Sequence, residues 1–178
     1  VPQLVIALWC ALIKSGGLYV EGIFRLAPDA SECAMVERSL ARTGKPALGH
    51  PIIFAHLIKK FLRMLPGGLL SHVPLDTLRT LGAPPGESRL GAKAATATAL
   101  GCLDAAEGAM FQWLLRLIGL TQECKADNKM GVGNLAIVFG PAMLGASSSA
   151  NQSPSSMVKE LEKVELAANL LARCMGKD

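Results

Sequence analysis

Aromatic residues make up only 4% of this sequence, and a single Tyr is present among its 178 residues. Charge is also sparse: Asp, Glu, Lys and Arg together reach 18%, and 18 basic against 14 acidic residues leave a formal charge of +4. A dedicated nucleic-acid surface needs a concentrated basic stripe interleaved with aromatics, so no nucleic-acid partner is expected. Cysteines stand at positions 10, 33, 102, 124 and 174, an odd count with no C-x-x-C pair. That pattern fits neither a disulfide framework nor a zinc cluster and points to a reducing, cytoplasmic compartment. There is no clean long apolar run either. The uncharged stretch from Gly131 to Val158 is broken by Asn134, Gly140, Pro141 and a Ser-rich tract, so no membrane span is expected despite a mean hydropathy of +0.36. Leu4 to Ile13 lacks the basic flank and small-residue cleavage site of a signal peptide. The chain opens at Val1 rather than Met, which reads as a monomeric domain cut from a longer protein.

What is abundant is hydrophobic side chain, at 51% of the residues, which rules out intrinsic disorder. The length suits one domain spanning residues 1–178. Apolar residues recur at helical spacing from end to end, with no sustained alternation bounded by hairpin dipeptides, so the class is all-α. Pro2 to Ser15 is apolar nearly all round and stops at Gly16-Gly17, which predicts a central buried helix. Leu18 to Pro28 is a loop. Asp29 with Glu32 is a capping-box-like start for a helix to about Arg42. Pro51 opens another, with Phe54, Leu57, Ile58, Phe61 and Leu65 on one side and His56, Lys59, Lys60 and Arg63 on the other.

Residues 81–100 shift to Gly, Pro, Ala and Thr and read as a flexible loop or poorly specified helix. Leu103, Ala106, Met110, Trp113, Leu114, Leu117 and Ile118 mark a core helix. Asn128 to Phe139 marks a further one, stopped by Gly140-Pro141. A Ser-rich hinge at 145–153 leads to a last helix whose Val158, Leu161, Val164, Ala168 and Leu171 form one stripe.

Enzyme signatures fail on spacing. Gly86 and Gly91 imitate a phosphate loop, but Lys93 comes one residue late, Ala94 stands where a magnesium-binding hydroxyl is needed, and no strand precedes. His50, His56 and His72 do not fit H-E-x-x-H, so no metal site is expected. Met130, Met143 and Met157 read as core. Taken alone, the Lys59 and Arg63 pair at i, i+4 reads as a solvated helix face.

Four segments in order change that reading. Val1-Pro2 leads an apolar helix into Gly17-Leu18-Tyr19-Val20-Glu21-Gly22-Ile23-Phe24-Arg25. Then come Leu57-Ile58-Lys59-Lys60-Phe61-Leu62-Arg63-Met64-Leu65-Pro66, Asn128-Lys129-Met130, and Asn134-Leu135-Ala136-Ile137-Val138-Phe139-Gly140-Pro141. Together these resemble the RhoGAP family of GTPase-activating domains for Rho-class small G proteins. The resemblance covers nearly the whole chain, the Ala-rich stretch before Leu103 and the last helix being the weakest parts.

The resemblance implies a single-domain, multi-helix RhoGAP-like bundle that is not itself an enzyme. It would bind a GTP-loaded Rho, Rac or Rop-like G protein and supply Arg25 in trans as an arginine finger. It needs no cofactor of its own, since GTP and Mg²⁺ belong to the partner. The same resemblance directs Lys59 toward the G protein, gives Arg63 the bracing of the loop that carries Arg25, and sends Asn134 to the partner's switch region. Lys129 is a further contact candidate. Asn128 either caps the helix it opens or makes a contact. Departures from the family pattern stand at Pro28, Ile52, Met64 and Gly67-Gly68. None removes a residue assigned to chemistry, but they keep open a catalytically weak or inactive G-protein-binding module as the alternative.

Overall fold

The structure, a computed structural model, describes residues 1–70, 72–83, 90–145 and 154–176. Among these every regular element is helical. They are α1 (Gln3–Lys14), a 3-10 turn at Gly17–Tyr19, α2 (Ala30–Thr43), α3 (Pro51–Arg63), α4 (Leu75–Gly82), α5 (Ala92–Cys102), α6 (Ala105–Glu123), α7 (Lys125–Asn128), α8 (Val132–Met143) and α9 (Pro154–Cys174). No helix among the described residues is long and apolar enough to cross a membrane. The chain divides into two compact units, residues 1–61 with 120–131 and residues 62–119 with 132–178.

In the first unit α1 buries one stripe, Val5, Leu8 and Leu12, at i, i+3 and i+7. Leu4, Ile6 and Ile13 stay 38%, 44% and 41% exposed, so this helix is not the all-round buried one its composition predicts. A stripe three residues wide suffices to pack it, and the remaining apolar side chains face water. Asp29 caps α2 as expected, its carboxylate accepting from the Ser31 and Glu32 amides at 2.9 and 3.0 Å. Its pKa lies below the usual carboxylate value, first because of the Ser31 hydroxyl bond. Cys33 and Val36 form the inner face of α2. Phe54, Leu57 and Ile58 do the same for α3, which starts at Pro51 as its sequence predicts.

In the second unit α9 packs along α8, α4 and α5. Glycines bring the backbones close. A Cβ on Gly82 would lie 2.4 Å from the Leu166 carbonyl oxygen, and one on Gly140 would lie 3.1 Å from Ala168. Gly140 and Pro141 therefore do not stop α8, which runs on to Met143 with Pro141 inside it. Gly140 is buried against α9, and the helix end is carried one turn further by Leu144 N–H donating to the Pro141 carbonyl at 3.3 Å.

Two further expectations are corrected here. Ala92–Cys102 is a helix rather than a flexible loop, its small Ala95 and Ala99 fully buried, so close approach substitutes for a large apolar face. Residues 84–89 of the expected loop, and 146–153 of the expected Ser-rich hinge, lie outside the described residues. On α9, Val158 and Leu161 are 66% and 70% exposed, and the buried face is Ala167, Leu170 and Leu171. The stripe was one face of a helix, but the unit covers only its C-terminal half.

The C-terminal carbonyls of α4 are capped from α9. Asn169 donates to the Gly82 carbonyl at 3.1 Å, and the largely buried Arg173 donates to Thr80 at 3.4 Å and also to Ala83. A cation at a helix C-terminus both satisfies orphan carbonyls and complements the helix dipole.

Candidate functional site

The loop from Leu18 to Pro28 is built around two anchored residues, Ile23 and Phe24, which are 0% and 1% exposed. Between such apolar plugs the chain must turn sharply. Gly22 does this at φ 71°, and Phe24 adopts φ 68°, a left-handed conformation that a bulky residue holds only when its surroundings enforce it, at a cost of order 1–3 kcal/mol. The Arg25 and Leu26 amides then donate back to the Gly22 carbonyl at 2.8 and 3.0 Å. Arg25 emerges from this turn exposed to solvent. Its guanidinium has no hydrogen bond or ion pair among the described residues.

Two polar anchors fix the loop. The first is Asn128, the last residue of α7 and fully buried. Its carbonyl accepts from Gly22 N–H at 2.8 Å. Its side-chain amide donates to the Leu18 and Thr121 carbonyls, both at 2.7 Å, while its amide oxygen accepts from Met130 N–H at 2.7 Å. The bonds to Thr121 and Met130 are made away from water, where an unmet group costs about 1–3 kcal/mol, and the one to Leu18 is partly buried. Asn128 thus opens no helix, because its side chain is spent on the loop base and the following Lys129 breaks the backbone at φ 59°. Of the two roles open to Asn128, its full burial and hydrogen bonds fit the structural one.

The second anchor is Lys59. Its ammonium donates to the carbonyl of Phe24, the residue immediately before Arg25. The ammonium thereby holds the backbone next to Arg25 from within the first unit. Lys60, the next residue, ion-pairs with Glu37 of α2 at 2.5 Å.

Lys129 is exposed beside Asn128 and donates to the Ala126 carbonyl at 2.5 Å. The first unit therefore brings Arg25, Lys59, Asn128 and Lys129 to one loop. Arg63 and Asn134 belong to the second unit, where both are exposed, Asn134 on the first turn of α8 with Ile137 69% exposed one turn later. Thr121, whose carbonyl completes the Asn128 cradle, is not legible from the sequence, because a backbone acceptor carries no side-chain signature.

In the second unit His72, Asp104 and Glu107 bring ligand-type atoms within 4.8 Å of one another. Asp104 and Glu107 form a reciprocal capping box at the start of α6, with Glu107 N–H to the Asp104 carboxylate at 2.8 Å and Asp104 N–H to Glu107 at 3.0 Å. His72 pairs with Glu107 at 2.8 Å, which raises the His72 pKa above its ordinary value. Both carboxylates are thereby committed to the helix start.

An exposed, uncommitted arginine on a doubly braced loop is suited to neutralising negative charge on a second molecule. Comparison with known proteins bears on which one. Among curated proteins, the chain is 32% identical over 143 residues to Rho GTPase-activating protein 3 of Arabidopsis thaliana, covering 80% of this chain and 30% of that protein. It is 30% identical over 149 residues to Rho GTPase-activating protein gacA of Dictyostelium discoideum, covering 84% of this chain and 41% of that protein. The chain thus spans well under half the length of either relative. Two solved structures share its fold. The BH domain from GRAF, the GTPase regulator associated with focal adhesion kinase, superposes at a TM-score of 0.72 with 18% identity, covering 96% of this chain and 92% of that one. Human Rho GTPase activating protein 15 superposes at 0.65 with 21% identity, covering 98% and 84%. The RhoGAP domain pattern itself matches residues 2–148, and the chain belongs to the RhoGAP domain family.

Proposed function

We propose that this chain is a GTPase-activating domain that docks on a GTP-loaded Rho-class small G protein and inserts Arg25 into its nucleotide site. The observation that supports it most is the state of Arg25: exposed, unpaired among the described residues, and carried by a turn anchored on both sides by Asn128 and Lys59. A G protein already holds Mg²⁺ and the phosphates, so what it lacks is stabilisation of charge developing on the transferred phosphoryl group. An arginine supplied in trans provides that, worth about 10³–10⁵ in rate. A preformed loop matters because a side chain ordered only on docking would lose part of that gain to conformational entropy.

In this reading Lys59 is a positioning residue, holding the Phe24 carbonyl and so the direction in which Arg25 leaves the turn. Arg63, Lys129 and Asn134 contribute partner contacts. The domain acts as a monomer without a cofactor of its own, and its five free cysteines are in keeping with a cytoplasmic place of work. The alternative, a binding module of the same fold with weak or no stimulation, draws on Pro28, which stiffens the chain just after Arg25, and on the exposed Met64. Single-turnover hydrolysis on a panel of Rho-class G proteins separates the two. The activator reading expects at least one member to hydrolyse GTP about 10³-fold faster with the domain present. Tight binding to a GTP-loaded member with no acceleration would instead establish the binding module.

A further inference from the structure

The link between α2 and α3 is clasped at its start and protrudes at its end. Gly44 takes φ 68° and donates to the Leu40 carbonyl at 2.9 Å. The Lys45 carbonyl accepts from both the Ser39 and Thr43 hydroxyls, at 3.0 and 3.1 Å. Three residues on, Leu48 is 102% exposed, as open to water as a leucine can be. Shallow grooves flank the link. One is lined by Cys10, Lys14, Lys45 and Leu48, the other by Met35, Arg38 and Arg42, and Ala47 lines both. The two grooves and the tip between them are therefore one continuous surface within the first unit.

Four cations ring that tip. Lys14, Arg38, Arg42 and Lys45 are all exposed, and none of their side chains has a hydrogen bond or ion pair among the described residues. The nearby acids are committed or distant. Glu37 is paired with Lys60, and Glu32 and Asp29 sit at the opposite end of α2, about 15 and about 20 Å along the helix from Arg42. Met35, 55% exposed, adds a second apolar side chain to the surface.

We propose that this face docks on an anionic lipid membrane surface, Leu48 entering the interfacial region while Lys14, Arg38, Arg42 and Lys45 meet the headgroups. Charge complementarity selects the anionic surface, because unpaired cations on a water-facing rim gain most where anions are spread laterally. The protruding leucine selects a lipid layer over an acidic polypeptide. Leu48 stands wholly in water at the rim of shallow grooves and is not enclosed by them, whereas a headgroup layer closes around such a tip. The clasp at Lys45 keeps the tip extended before contact, which lowers the ordering cost.

Co-sedimentation of the chain with phosphatidylcholine vesicles containing about 30 mol% phosphatidylserine, against phosphatidylcholine alone, tests this. Binding is expected to the anionic vesicles only and to weaken steeply as salt shortens the Debye length. Arg42→Gln and Lys45→Gln should each weaken it about fivefold, the four-cation variant should abolish it, and Leu48→Ser should weaken it about threefold or more. Melting temperatures should not move, since all these side chains are solvent-exposed. Equal binding to neutral vesicles, no binding to either, or full binding by the four-cation variant would overturn the proposal. Soluble polyglutamate bound as tightly as the vesicles, with no effect of Leu48→Ser, would overturn it too and reassign the face to an acidic polypeptide.

Discussion

The loop that carries Arg25 and the helix packing around α9 both use long-range polar bonds, Asn169 and Arg173 in the second case, but the α9 packing also depends on close glycine contacts that the loop lacks. In the first unit, long-range polar bonds hold a loop: Asn128 reaches Leu18 across 110 residues of sequence, and Lys59 reaches Phe24 across 35. In the second unit, missing side chains let backbones approach. Gly82 sits against Leu166 and Gly68 against Leu144 and Gly145, each so close that a Cβ would collide, and Gly140 sits in tight contact with Ala168. Glycine contacts give a stiff, tightly packed body but leave no chemical group pointing outward. Polar anchors can fix a backbone while the neighbouring side chain stays exposed. A loop that must present one unspent guanidinium needs the second device.

That contrast breaks first at Arg25. Arg25→Ala should lower stimulated GTP hydrolysis by about 10²–10⁴ while the melting temperature stays unchanged, because the side chain is exposed and holds nothing in place. A matching loss of stability in thermal unfolding would make Arg25 structural and remove the distinction. Arg25→Lys should fail nearly as badly, since a point-charge ammonium cannot bridge two phosphate oxygens as a planar fork does.

Next in size are the anchors. Asn128→Ala strands the buried Thr121 carbonyl, the partly buried Leu18 carbonyl and the buried Met130 amide, so denaturant unfolding should show a loss of about 2–4 kcal/mol, accompanied by slower stimulated hydrolysis. Gly82→Ala in the other unit should cost about 1–3 kcal/mol, because the Leu166 backbone cannot move away as a side-chain tip could. Its remaining folded fraction should stimulate hydrolysis normally, which is what separates packing from positioning. A Gly82→Ala variant that is fully stable but inactive would contradict this assignment.

Lys59→Met tests the second polar anchor of the loop. It keeps the length of the side chain and removes the bond to Phe24, so the maximal stimulated rate should fall about tenfold with affinity for the GTP-bound partner held within about threefold. If affinity falls and the maximal rate does not, Lys59 is a partner contact and the brace is incidental.

The smallest effect concerns His72. Pairing with Glu107 raises its pKa above the ordinary 6.5, so its contribution to stability is complete below pH 6.5 and fades as the pH rises through the higher folded value. His72→Gln should therefore narrow the stability difference between the parent and variant proteins as the pH is taken from 6 to 8. A gap that widens with pH would reverse the sign of the assignment.

Helix starts were legible wherever local chemistry decides them, as at Asp29 and Pro51, since a cap or a missing N–H acts within one turn. The buried faces of α2 and α3 were legible for the same reason, their period being written in consecutive residues. Asn128 was misread as a helix start because its partners are Leu18 and Thr121, and a preference for capping cannot reveal a distant carbonyl. Pro141 was misread as a stop because the buried Gly140 commits α8 to α9 on both sides of it. The Ala-rich α5 has almost no amphipathic signal, and its helix depends on small residues admitting close neighbours. At the candidate site, the motif drew attention to Arg25 and Lys59, but the bond from Lys59 to the Phe24 carbonyl was not legible, since it depends on a backbone turn at positive φ.

As an arginine finger, Arg25 is proposed to meet charge present only during phosphoryl transfer, which titration calorimetry across nucleotide states would report. Affinity for a responsive Rho-class G protein should rank GDP with a planar fluoride mimic above a GTP analogue, and the analogue above GDP. Arg25→Ala should close the first gap and leave the second largely intact. Equal affinity for all three states, or a first gap untouched by Arg25→Ala, would contradict the account.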